Sequence, residues 1–444
     1  MSQYKPYIDP TRRISKAARM RNRGIALGVF LLICFAIGSC LSGKEETSSS
    51  KEVATEEVSA PQEDVTDTSQ IEAMEAESVE NDTLNTADSI DLDNPAAIPQ
   101  VPKQEKSGNH VQAQKNPFLA EKIDHLLQAY KPEHAMVLVV DAKSNEIIAW
   151  GERKDNTNQS KPDYLIRNTF PAASLAKTVT TAAALESGRY SLHTAIPMIG
   201  RTHRLYKNQL KVPSNYRGPT LPLQDAFAQS ANPPMGIVGQ NLGASRLKAA
   251  ARNLGYNMNF IGGLPKRASY TPPDTGYGLA ETACGFTDAT TISPLLAAAQ
   301  VRAILMKKPL EIPWAENLDG FAPKKRFALD VKKFSDNTYF GLRQAMIRAV
   351  THGTGSKNIS PRNMARKNYE ALTIGGKTGS LDGKDPKGRY DWFMGFAQSK
   401  DKPDKAIIIV VMQAFDPQGM RPQPTTQVAA MVINYWAHQA LWGK

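Results

Sequence analysis

The sequence predicts an α+β domain over residues 116–444, built on one sheet of five strands with a mainly helical insertion. Three observations predict it. Two apolar, strand-like runs stand early, in "AMVLVVDAKSNEIIAWGER" (135–153). Three stand late: "ALTIGGKTGS" (371–380), "WFMGFAQS" (392–399) and "AIIIVVMQA" (406–414). Between them, from about 170 to 355, the chain is helical and loop-rich. A sheet drawn from both ends of a domain meets such an insertion in a cleft.

Residues 1–43 carry seven Lys/Arg against one acid, so 1–23 reads as a basic segment. "GIALGVFLLICFAIGSCLSG" (24–43) has twenty residues without a charge. As a helix that is about 30 Å, enough to cross a bilayer. Arg19, Arg21 and Arg23 precede it and Lys44-Glu45-Glu46 follows. This asymmetry predicts a transmembrane anchor with a cytoplasmic N-terminus and everything after residue 43 outside. A cleaved signal also fits, and Ile37-Gly38-Ser39-Cys40 has the form of a lipoprotein cleavage box with Cys40 lipid-bearing.

Residues 44–115 read as an acidic, disordered linker. Residues 44–100 hold two Lys against sixteen acids and almost no aromatics, too little apolar surface to offset ordering entropy. Its random-coil span is about 45–50 Å. The remainder carries about +19 of the overall +11. That excess suits anionic polymers or solubility; export past the bilayer argues against nucleic acid. Cys34 and Cys40 lie in the apolar stretch and Cys284 stands alone, so neither an internal disulfide nor a cysteine metal site is expected. The seven histidines are scattered without metal-ligand spacing; no metal and no cofactor is expected.

Within 116–444, the stretch from Phe118 to Leu127 has the pattern of an amphipathic helix. The two early runs form a hairpin around a Lys-Ser-Asn turn. "TTQVAAMVINYWAHQALW" (425–442) is a closing helix with an apolar face.

The chemistry starts in "TFPAASLAKTVTTAAALESG" (169–188). Lys177 is its one charge before Glu186. Pro171 suits the first turn of a helix, and the run to Leu185 predicts a buried one. A buried ammonium is costly without a partner or a task. Ser174 and Lys177 share a helix face, and a lysine whose pKa is lowered by burial can take the serine proton. Spacing alone does not decide this, because Ser-x-x-Lys also begins at Ser2, Ser48, Ser245 and Ser399.

Two further elements narrow the choice. Lys377-Thr378-Gly379-Ser380 lies on a strand-like run whose glycines let a substrate backbone approach. A lysine, a hydroxyl and an edge-strand N–H suit a carboxylate and a developing oxyanion. Ser-x-Asn occurs at Ser107, Ser230, Ser335 and Ser356. Ser335 reads as a helix N-cap and Ser356 lies in a Gly-rich loop. Ser230-Ala231-Asn232 sits on a tight connection between helices and is the preferred pair, with Ser335 as the alternative.

Ser174-x-x-Lys177, Ser230-x-Asn232 and Lys377-Thr378-Gly379, in that order, resemble the three signatures of penicillin-binding proteins and serine β-lactamases. "SPLLAAAQ" (293–300), "AVTHGTG" (349–355) and "DWFMGF" (391–396) are similar to segments of the peptidoglycan transpeptidase domain, and the likeness covers roughly 130–440. The resemblance implies an antiparallel five-stranded sheet flanked by helices, with a mainly α-helical subdomain. It implies that Ser174 attacks a stem-peptide D-alanine carbonyl to form an acyl-enzyme, with Lys177 as base. Ser230 and Asn232 relay a proton and orient the substrate. Lys377 and Thr378 hold its carboxylate, and backbone N–H groups of Ser174 and Ser380 form an oxyanion hole. It also implies a peptidoglycan D,D-transpeptidase acylated by β-lactams, anchored by the N-terminal helix in the bacterial inner membrane with its domain in the periplasm. A glycosyltransferase partner would act in trans. Within the same superfamily D,D-carboxypeptidase and β-lactamase are the alternatives; outside enzymes, a penicillin sensor or cell-wall-binding scaffold. Two residues depart from the family pattern: Ser380 stands where threonine is usual, and "PAAS" replaces the usual Pro-Gly-Ser.

Overall fold

Consecutive strand residues point to opposite faces of a sheet, and here both faces are apolar, so one sheet carries two cores. The structure is a computed structural model and describes residues 109–113 (backbone), 115–154, 163–258, 268–318 and 322–443. The basic segment 1–23, the apolar stretch 24–43 and the linker up to residue 108 lie outside the described residues, as do the quartets at Ser2 and Ser48. No helix among the described residues is long and apolar enough to cross a membrane.

The chain begins with β1 (Asn109–Ala113), α1 (Pro117–Tyr130), β2 (His134–Asp141) and β3 (Ile147–Lys154). The insertion contains α2 (Lys177–Glu186), β4 (Ala195–Pro197), β5 (Thr220–Pro222), α3 (Leu223–Ala228), α4 (Asn232–Leu242), α5 (Ala244–Asn253), α6 (Gly276–Cys284) and α7 (Pro294–Met306). It continues through β6 (Glu311–Ile312), β7 (Phe327–Ala328), α8 (Asp336–Thr351) and α9 (Arg366–Ala371). The chain closes with β8 (Leu372–Lys384), β9 (Lys387–Ser399), β10 (Ala406–Phe415) and α10 (Thr425–Trp442).

The main sheet has the order β1-β3-β2-β10-β9-β8, with every neighbouring pair antiparallel. The five expected strands, β3-β2-β10-β9-β8, are present, and β1 adds a sixth at the edge. The additional strand lies inside the segment read as linker. Residues 107–114 lack a charge, which an average over the acidic stretch conceals. Asn109 to Ala113 pair with Arg153 to Ala149 along the open edge of the early hairpin.

β2 and β10 pair from Ile407↔Asp141 to Ala414↔His134, so the two ends of the domain join in mid-sheet. One face, with Met136, Leu138, Trp392, Met394, Ile408 and Val410, packs against the insertion. The other, with Val137, Val139, Phe393, Ile407, Ile409 and Val411, packs against α1 and α10. β10 is buried along its whole length, as a central strand covered on both faces must be. β8 is the opposite edge of the sheet and borders the insertion.

Candidate active site

Ser174 is presented by a break in regular structure. Pro171 does not open a helix; it forms an isolated bridge with Thr291, and its carbonyl accepts from the Trp392 indole at 3.0 Å. Ala173 then adopts φ 48°, left-handed backbone that L-residues enter at a cost. A 3-10 turn at Ala173–Ala176 follows, and the α-helix starts only at Lys177. Ala173, within the "PAAS" that departs from the expected Pro-Gly-Ser, makes this turn.

Lys177 is fully buried. Its Nζ lies 2.7 Å from Ser174 Oγ, 2.7 Å from Asn232 Oδ1 and 2.6 Å from the Cys284 carbonyl oxygen. An ammonium fills all three contacts by donating. A neutral amine has two N–H groups for Asn232 and Cys284 and one lone pair left for the Ser174 hydroxyl. Burial lowers the Lys177 pKa to about 8, slightly opposed by Cys284, which brings the neutral form within reach near physiological pH.

Asn232 is held by its neighbours. It opens α4, followed by two prolines, which suit a first turn because its N–H groups have no helical partner. Its backbone N–H donates to the Thr202 carbonyl at 2.7 Å and its side-chain amide to the His203 carbonyl at 2.8 Å. Ser230 sits in the α3–α4 turn at φ 58°, and its Oγ accepts from Lys377 Nζ at 2.9 Å.

Lys377, on β8, is also fully buried. It donates to the Thr378 carbonyl at 2.8 Å and lies 5.5 Å from the centre of the Phe227 ring. Burial, then the charge of Lys177, hold its pKa well below the usual lysine range. Thr378 Oγ1 lies 2.6 Å from Thr354 Oγ1. An added Cβ on Gly379 would sit 3.3 Å from the Ser174 nitrogen and from the Ala172 carbonyl oxygen, so β8 runs close against the Ser174 turn. Ser380 Oγ accepts from Arg389 Nε at 2.9 Å.

The three sequence motifs thus meet at one place. Among the described residues the rival motifs do not join them; Ser107, like Ser2 and Ser48, lies outside those residues. Ser335 caps α8, accepting from the Thr338 N–H, as its sequence context predicts. Asn358 bonds Thr426, Lys248 pairs with Asp274, and Ser399 accepts from the Lys402 N–H. Sequence reasoning missed Thr354, Phe227, Arg389, His203 and the Cys284 carbonyl. Thr354 lies within the quoted "AVTHGTG". The Cys284 carbonyl is backbone and leaves no side-chain signal.

The model of the family described as penicillin binding protein transpeptidase domain matches residues 135–431. The chain belongs to this family. Among curated relatives, the Peptidoglycan D,D-transpeptidase PbpA of Mycolicibacterium smegmatis is 25% identical over 284 residues, covering 60% of this chain and 55% of the relative. PbpA of Mycobacterium tuberculosis is 25% identical over 297 residues with the same coverage. The chain therefore spans about half the length of the curated relatives it matches. Among solved structures, PBPA from Mycobacterium tuberculosis is 18% identical with TM-score 0.54, covering 75% of this chain and 82% of that one. A peptidoglycan glycosyltransferase from Burkholderia ambifaria is 15% identical with TM-score 0.53, covering 73% and 95%. These likenesses show the penicillin-binding fold. In that fold the Ala173 turn, Thr354 and the His203 carbonyl supply the contacts described above.

Proposed function

We propose that this penicillin-binding protein is a peptidoglycan D,D-transpeptidase. The observation that carries the reading is the Lys177 amine, buried and shared by Ser174 Oγ, Asn232 Oδ1 and a backbone carbonyl. Neutral Lys177 takes the Ser174 proton as Oγ attacks the penultimate D-alanine carbonyl of a stem peptide. Lys377, through Ser230, supports proton delivery to the leaving amine. Lys377, Thr378 and Thr354 receive the substrate carboxylate, and Gly379 leaves room for its backbone. N–H groups of Ser174 and Ser380 serve the developing oxyanion. An amine from a neighbouring stem peptide then releases the acyl group, and β-lactams acylate Ser174 by mimicry.

The stretch 24–43 anchors the chain in the bacterial inner membrane, single-pass, with the domain in the periplasm; the Lys/Arg asymmetry around it supports this. A glycosyltransferase partner acts in trans.

Labelled penicillin tests the reading on the full-length chain. A stable adduct is expected with the natural chain and none with Ser174→Ala. Stem peptide with an acceptor amine is expected to give cross-linked product. No adduct would overturn the penicillin-binding reading. Rapid release of ring-opened drug would make the enzyme a β-lactamase, and hydrolysis of the stem peptide without cross-links a carboxypeptidase.

A further inference from the structure

The loop between β4 and β5 carries charge without counter-charge. Between Glu186 and Asp225 the sequence has six Lys/Arg and no acid. Five of the six, Arg201, Arg204, Lys207, Lys211 and Arg217, lie on this loop. Arg201, Lys207, Lys211 and Arg217 are solvent-exposed, and none of these four has an ion-pair partner among the described residues. Exposed cations elsewhere stand beside acids, as Lys248 does with Asp274, Lys384 with Asp288 and Arg366 with Glu370. Tyr206, 51% exposed, and Val212, 38% exposed, lie on the same loop; they are two of the five large apolar side chains exposed among the described residues.

Hydrogen bonds gather these side chains on ordered backbone. Gln209 Nε2 donates to the Ile199 carbonyl at 2.9 Å and its Oε1 accepts from the Tyr206 N–H at 2.7 Å. Tyr216 OH lies 2.8 Å from the Pro219 carbonyl oxygen and 3.1 Å from that of Met198. Residues 198–199, 206–209 and 216–219 are thereby tied together, with Lys207 opening a 3-10 turn that ends just before Lys211. The loop also borders the site. Its Thr202 and His203 carbonyls receive both N–H donors of Asn232, and its Leu205 carbonyl accepts from Tyr277 OH at 2.6 Å. A group of cations with no acid among them attracts a polyanion, and a backbone already fixed has less ordering left to lose on binding.

The transpeptidase reading, on which this inference rests, supplies such a polyanion: a glycan strand whose stem peptides each end in a carboxylate. One peptide enters the cleft and gives its carboxylate to Lys377, Thr378 and Thr354. The carboxylates of its neighbours on the strand find no partner there. We propose that the loop 198–219 is a docking surface for this strand. Arg201, Lys207, Lys211 and Arg217 take the carboxylates of the neighbouring peptides, and Tyr206 and Val212 give apolar contact. No bond is made or broken at the loop. It raises local concentration, because a strand held beside the cleft presents its next peptide to Ser174 without dissociating. An anionic bilayer suits the loop less well: seated on a loop that borders the cleft, it would obstruct the entry of substrate.

The test uses the full-length chain and a triple variant, Lys207→Gln with Lys211→Gln and Arg217→Gln. Binding is read by fluorescence anisotropy of labelled, un-cross-linked glycan strands, with Ser174→Ala in both proteins so that turnover does not enter. The triple variant is expected to bind strands about tenfold more weakly at about 0.15 M salt. The difference should close at 1 M salt, where the screening length falls to about 3 Å. Binding of a single stem peptide, and penicillin acylation with Ser174 restored, are expected within about twofold, which also reports an intact site. Equal strand binding by the two proteins would overturn the proposal, and so would a deficit that persists at 1 M salt. A parallel fall in single-peptide binding and penicillin acylation would overturn it too, by showing that the loop only supports the site. Weaker binding to phosphatidylglycerol vesicles with unchanged strand binding would assign the loop to a bilayer instead. Tight strand binding by a natural chain that forms no cross-links would leave the docking surface standing and overturn the transpeptidase reading.

Discussion

Lys177 ties the chemistry to pH. In the proposed mechanism the lone pair that accepts the Ser174 proton exists only on the neutral amine, and burial lowers its pKa to about 8. Acylation by penicillin is therefore expected to be slow below pH 8 and to climb through it; a profile flat from pH 6.5 to 9.5 would exclude Lys177 as base. The same shift acts on stability in one direction. The folded pKa lies below the ordinary lysine value, so between the two the unfolded chain binds the extra proton, and stability rises with pH across that window. Gly285 is a second point of control. It adopts φ 72°, and an added Cβ would overlap the Ala173 carbonyl oxygen. Gly285→Ala must move the nucleophile turn or strain it. Acylation is expected to fall at least tenfold, and thermal melting should drop with a loss on the order of 1–3 kcal/mol.

Elements differ in how plainly the sequence announces them. The hairpin, the late strands and the closing helix are apolar runs of one period, and they stand where expected. That Ser174, Lys177, Ser230, Asn232 and Lys377 meet was legible because the motifs are side chains at fixed spacing. The start of α2 was not, because Ala173 leaves helical backbone at a residue with no glycine to signal it. β1 was hidden by the acidic composition around it. The loop from 199 to 210 was illegible for another reason: it orders Asn232 through the carbonyls of Thr202 and His203, and carbonyls belong to every residue type. That loop depends on Gln209, which is buried and joins its two ends. Gln209→Ala removes both part-buried bonds, at about 0.5–1.5 kcal/mol each. Trypsin is expected to cut faster after Arg201, Arg204 or Lys207, with penicillin acylation slowed in step. Unchanged cleavage together with unchanged acylation would mean that Asn232 does not need the loop.

At the scale of the whole molecule, the site is assembled from parts distant in sequence. Lys377 reaches Ser230 across 147 positions and Lys177 reaches Asn232 across 55. What holds those parts in register is β10, the late strand that lies between the early hairpin and the other two late strands. Ile409 lies at its middle, opposite Val139 on one side and Gly395 on the other, and is fully buried in the core beneath α1 and α10. That core lies on the face of the sheet opposite the insertion. Truncating it to alanine removes buried methyl groups and leaves a cavity, at about 2–5 kcal/mol. Because both cores share this one sheet, neither can be kept when β10 detaches. Ile409→Ala is therefore expected to shift the denaturant midpoint downward while keeping a single transition. Loss of penicillin acylation and loss of far-ultraviolet circular dichroism should coincide along that transition. Two separated transitions, with acylation lost first and the helical signal persisting, would show instead that the insertion folds without the sheet. The cleft would then be a junction between independent units and not the product of one cooperative fold.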